Sequence, residues 1–136
     1  MDVVVLVLLL LQSALGVLAL LRWRKALRPS ARFPTSLVAA HIAVSDIATI
    51  LWVVRLVTDE VGWGWAALGV LLVGNGIGDL VLAGRWRLDQ ATSGAWLKGW
   101  VSAAKGLTNP KRRVGAAHAA GAGITTVALL VACLIG

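Results

Sequence analysis

Four long apolar runs constrain this chain more than any other feature, at residues 3–21, 37–57, 63–83 and 114–135. Each has the roughly 20 residues that an α-helix needs to cross about 30 Å of hydrocarbon. Lipid offers no partner to a backbone N–H or C=O, so such runs must be helical. The expected fold class is all-α integral membrane: an antiparallel bundle of four transmembrane helices in one domain of 136 residues. Hydrophobic residues make up 59% of the chain, above the roughly 45–50% of soluble domains. The first run does not read as a signal peptide. Asp2 stands where a cationic segment belongs, the run is long, and Arg22, Trp23, Arg24 and Lys25 follow it directly.

Thirteen Lys and Arg against six acidic residues give a net charge of +7. Their placement argues for topology rather than nucleic acid. Arg22, Arg24, Lys25, Arg28 and Arg32 lie between runs one and two. Arg85, Arg87, Lys98, Lys105, Lys111, Arg112 and Arg113 lie between runs three and four. The connection at 58–62 holds none. The positive-inside rule then places both basic loops in the cytoplasm and both termini outside. The basic face is expected to meet anionic lipid. Arg55 falls outside both loops and is expected to snorkel outward and pair with Asp59 at i,i+4. Within the second basic loop, Trp96, Leu97, Trp100, Val101, Ala104 and Leu107 recur at helical spacing, with Lys98, Ser102 and Lys105 opposite. That pattern predicts a short amphipathic helix over 95–107 lying in the membrane interface, ended by Asn109-Pro110.

The chain also repeats itself. Run one closes with "LLRWR" and run three with "AGRWR"; ten residues before each first Arg stands an amide, Gln12 or Asn75. "AAHIAVSDIATILWVV" aligns without gaps on "AAHAAGAGITTVALLVA", placing His41 on His118. The reading is a duplicated helical hairpin, hairpin one at 1–58 and hairpin two at 62–136. Hairpins entering the membrane in the same direction are related by a pseudo-two-fold axis along its normal. Helices two and four would then be diagonal, with His41 and His118 facing across the axis. These two His-containing segments resemble those opening the second and fourth helices of small four-helix membrane proteins of actinobacteria. The resemblance implies fold and location, in a bacterial cytoplasmic membrane, and no activity.

Six polar residues in the runs form the candidate site: His41, His118, Asp46, Asp79, Asn75 and Gln12. Asp46 lies five residues beyond His41, about 140° around the helix, so the two serve different interfaces. Both Asp46 and Asp79 are expected to face the bundle interior, because an isolated carboxylate in hydrocarbon is costly. Four roles stay open. The first is structural, with interhelical hydrogen bonds in a non-enzymatic accessory subunit. The second is b-type haem held by His41 and His118, with Arg32, Arg112 and Arg113 near the propionates. The third is ion or proton handling through the His/Asp cluster. The fourth is an oligomeric membrane-lesion protein or a subunit of a larger complex. Gly74-x-x-x-Gly78 and the row Gly115, Ala119, Gly123 would allow close helix approach.

No catalytic set is visible. Ser13, Ser45 and Ser93 lie in unrelated places, and "GNGIGD" at 74–79 sits inside an apolar run with no preceding strand. Cys133 is the single cysteine, so no disulfide or CxxC metal site is expected.

Overall fold

The computed structural model describes residues 1–26, 34–98 without 91–97, and 101, 105, 108–110 and 112–136; the side chains of 86–90 lie outside that description. Among the described residues four long helices are present: α1 (Asp2–Ala26), α2 (Thr35–Thr58), α3 (Val61–Gln90) and α4 (Arg113–Ile135). All four are long and apolar enough to cross a membrane.

Local sequence explains most of the boundaries. Pro34 precedes α2, where its fixed φ and missing N–H cost nothing. At the other end Asp59 takes a left-handed φ of 58°, and its N–H donates to the Arg55 carbonyl at 3.0 Å. Asp is one of the few L-residues that visits this region readily. The chain reverses there, and α3 starts at Val61. This helix runs through Arg85-Trp86-Arg87 to Gln90, beyond the expected end of run three. No Gly or Pro interrupts 85–90, and Arg, Leu and Gln are good helix formers. The interfacial helix expected over 95–107 lies outside the described residues, except Lys98, Val101 and Lys105, which are exposed.

Packing follows the ring order α1, α2, α3, α4. The most extensive contact joins α2 to α3, then α1 to α4; α3 meets α4, and α1 meets α2 over a short stretch. Neither α1 and α3 nor α2 and α4 pack backbone to backbone among the described residues, so each is a diagonal pair. The tightest part of the core gathers Val5 and Leu9 from α1, Ala48 and Trp52 from α2, Leu68 and Leu71 from α3, and Leu129 and Cys133 from α4.

One end is closed by a polar lock over this core. The Trp52 indole N–H donates to the Asp2 carbonyl at 3.0 Å. The Arg55 guanidinium donates to Asp59 Oδ1 at 2.8 Å and stands 3.7 Å from Asp2 Oδ2. Arg55 therefore does pair with Asp59, but it does not snorkel outward: it is buried, only 5% exposed. A second acidic partner on α1 and the stem's packing near Gly64 hold it in. The other end carries a contact between the two RWR segments. The Arg85 guanidinium lies 5.7 Å from the centroid of the buried Trp23 ring, within cation–π range.

Candidate functional site

Beyond the apolar core, towards the RWR ends, the bundle turns polar. His41 on α2 and His118 on α4 come together across the diagonal. Their ring centroids are 6.1 Å apart and the rings meet edge to face at 80°. The ring of His41 is oriented by α3, its Nδ1 standing 2.9 Å from the Gly74 carbonyl. A carbonyl only accepts, so Nδ1 is the donor in this bond. Ser45, one turn along, donates to the His41 carbonyl at 2.8 Å.

Glycines make this meeting possible. A Cβ on Gly78 would lie 2.9 Å from His41 Cε1, and one on Gly16 would lie 3.1 Å from His118 Cε1. Each imidazole thus packs its Cε1 edge on the backbone of a neighbouring helix, His41 on α3 and His118 on α1. Gln12 lies so close to Gly121 on α4 that any side chain there would displace it. The α1–α4 contact is therefore reciprocal: Gln12 on Gly121, His118 on Gly16. Gly74 and Gly78 face α2, next to Ser45 and His41, while Gly115 faces Arg85. These small residues close the bundle itself. Gly123 faces open space.

The remaining candidates divide sharply. Asn75 Nδ2 donates to Thr126 Oγ1 at 2.8 Å and ties α3 to α4. The Thr126 hydroxyl in turn donates to the Ala122 carbonyl at 2.9 Å, so the chain of donors is complete. Asp79 is half-buried beside Gly78, near enough to His41 for the two to interact electrostatically. Gln12 Oε1 and His118 Nδ1 are buried without a hydrogen-bond partner. Asp46 does not face the interior. It is exposed on the outer surface of α2, because the inward positions of that helix are taken by His41, Ser45, Ala48 and Trp52. The expected cluster is thus His41, His118, Asp79, Asn75 and Gln12, with Asp46 outside it.

Sequence reasoning missed Gly16, Gly78 and Gly121 as partners of the polar side chains, and Trp23 with Arg85 as a contact. The duplicated RWR motif was the available signal for the second. No protein-family model, curated protein or solved structure matches this chain. The site must therefore be read from its own chemistry. Among the described residues no group of three His, Cys, Asp or Glu side chains is placed to hold a metal ion.

The Asn75–Thr126 bond offers a direct measure of how much one polar contact contributes here. Asn75→Leu is expected to cost roughly 0.6–2 kcal/mol. A double-mutant cycle with Thr126→Val in detergent unfolding should show that the two changes are not additive. Full additivity would mean that the bond contributes nothing.

Proposed function

We propose that this chain is a small polytopic membrane protein, non-enzymatic, acting as a structural or accessory subunit of the bacterial cytoplasmic membrane. Its helices form an antiparallel bundle with both termini extracytoplasmic, and its two hairpins are a duplication. The observation that carries the structural role is that inward polar groups join different helices: His41 to Gly74, Asn75 to Thr126, Trp52 and Arg55 to Asp2. In hydrocarbon such bonds define which helices meet, because apolar burial alone gives little preference. The outward surface, including Leu10, Leu72, Val73, Ile124, Val127 and Leu134, is exposed and apolar, as lipid contact requires. The lysines and arginines of the two basic connections support the orientation and an anionic-lipid partner at the cytoplasmic face.

One observation favours a second reading, bis-imidazole binding of haem b. Two imidazoles sharing an iron through nitrogens about 2 Å from it have centroids roughly 6 Å apart; here they are 6.1 Å apart. A ligand histidine also commonly gives its other N–H to a carbonyl, as His41 gives Nδ1–H to Gly74. Against this, Gly16 and Gly78 stand directly on the imidazole edges. A macrocycle between the rings would require α1 and α3 to part, so the closed packing favours the structural reading.

Two measurements test these assignments. Reporter fusions at Gly136 and within 93–106 should report opposite sides, with Gly136 outside. A cytoplasmic Gly136 overturns the topology. The purified protein from cells supplied with haem precursor should be colourless. A Soret band lost in both His41→Ala and His118→Ala would replace the structural reading with the haem one.

A further inference from the structure

We propose that the end of the bundle carrying the two RWR segments holds a seat for the phosphate of an anionic phospholipid, built on the Arg85 guanidinium where α1, α3 and α4 meet. The proposal rests on the membrane reading above and narrows its diffuse lipid partner to one site. The connections at 22–36 and 84–113 hold twelve Lys and Arg and a single acidic residue, Asp89. Ion pairs within them cannot neutralise that many cations, so this end of the molecule draws anions from its surroundings. The opposite end is different, since Arg55 stands there between Asp2 and Asp59.

Geometry singles out Arg85 among these cations. Its guanidinium lies 5.7 Å from the centroid of the buried Trp23 ring on α1. Its Nη1 reaches the backbone of α4, where a Cβ on Gly115 would stand 3.1 Å from it. The side chain is half-buried, placed between an aromatic ring and a glycine on two other helices. Its rotamers are restricted before any ligand arrives, which lowers the entropy cost of binding. A guanidinium carries five N–H donors in one rigid plane, so it can hold a neighbouring group and still grip a phosphate with its fork. Arg22 and Arg24 flank Trp23 in the chain, Arg112 and Arg113 shortly precede Gly115, and all four are at least partly exposed. They add cationic charge at the same end.

A lipid is the source of phosphate that fits. Val17, Leu18 and Leu21 on α1 and Leu80 on α3 are exposed and lie within about two helical turns of Trp23 or Arg85. An acyl chain has an apolar surface to follow there, which neither a nucleic acid nor a soluble phosphate ester would use. The seat also stands at the end of helices long and apolar enough to cross a membrane, the level at which basic pockets between helices meet anionic headgroups.

The test titrates the full chain, in a neutral detergent, with dioleoyl phosphatidylglycerol and counts lipid adducts by native mass spectrometry. One adduct should saturate first, with a preference of about tenfold or more over dioleoyl phosphatidylcholine. Arg85→Gln should weaken it about twentyfold or more. Arg85→Lys keeps the charge but not the fork, and should lose nearly as much. Lys25 is exposed and sits about 200° from Trp23 around α1. Lys25→Gln, an equal change in charge, should therefore cost about fivefold at most, the diffuse contribution of one surface cation. In the unmodified chain, a phosphatidylglycerol with a photoreactive headgroup should label peptides carrying Trp23, Arg85 or Gly115 and not those carrying Arg55. Uniform labelling, equal losses in Arg85→Gln and Lys25→Gln, full binding by Arg85→Lys, or equal adducts of the two lipids would each overturn the seat. Displacement of the lipid by equimolar glycerol 3-phosphate or a short oligonucleotide would overturn the choice of lipid. Recovery of the chain outside the membrane fraction would instead overturn the membrane reading.

Discussion

Trp52→Ala is expected to destabilise the bundle by about 3 kcal/mol or more, measured by reversible unfolding in detergent or bicelles. Trp52 is 1% exposed and is the largest fully buried side chain among the described residues. It fills the space between α1, α3 and α4 where the core is tightest, and its N–H reaches the Asp2 carbonyl. Truncation leaves a cavity and removes the bond to that carbonyl together. On the proposed membrane reading the transfer part of the cost is small, since hydrocarbon is as apolar as the core, so the loss is mostly packing. Trp52→Phe separates the two effects: it keeps much of the volume and gives up the hydrogen bond, worth about 1 kcal/mol. Trp65, 43% exposed on α3, is the control; Trp65→Ala should change stability by less than about 0.5 kcal/mol. If both alanine variants lose the same amount, Trp52 is not the keystone of this core.

Much of this architecture is legible in the sequence because long apolar runs permit so few solutions. A run of about 20 apolar residues has only the helix available to it. Helix ends were harder. The apolar run that defines α3 stops at Ala83, yet the helix goes on to Gln90, because hydropathy marks where the apolar stretch ends and not where helical hydrogen bonding ends. Arg55 shows the same limit in a side chain. Its i,i+4 spacing from Asp59 is a local fact and was readable. Its burial depends on Asp2, 53 positions earlier in the chain, which no local pattern supplies.

The site divides along the same line. The gap-free match of the two AAH segments was enough to expect His41 and His118 across a diagonal, and the structure brings those two rings together. The helical wheel also separated Asp46 from His41 by about 140°. It left open which neighbour Asp46 faced, since that depends on where the other three helices stand. The glycine partners were the least legible. Gly74 and Gly78 read as a small-residue motif whose spacing permits close approach to some helix, but only the packed register shows that His41 and Ser45 are what approaches.

Gly78→Ala is expected to destabilise by about 2 kcal/mol, against the trend of helix propensity. In a helix interior Ala is favoured over Gly by about 1 kcal/mol. Gly76→Ala, where nothing lies within 4 Å of the added carbon, should show that gain. At Gly78 the added carbon would sit 2.9 Å from His41 Cε1 and 3.3 Å from its Nδ1. The imidazole has no easy retreat: Nδ1 is held by the Gly74 carbonyl, and His118 stands on the other side. Overpacking of this kind costs about 1–3 kcal/mol, enough to outweigh the propensity gain. Gly16→Ala should cost less, since its contact with His118 is longer, at 3.1 Å, and His118 Nδ1 has no hydrogen bond to lose. The decisive comparison is the double variant. Removing the imidazole with His41→Ala should turn Gly78→Ala from destabilising to neutral or stabilising, because the clash then has no second partner. If Gly78→Ala and Gly76→Ala behave alike in the parent, or if His41→Ala leaves the Gly78→Ala penalty unchanged, the imidazole pair is not seated on the backbone of α3. The closed packing that favours a structural role over a macrocycle would then lose its support.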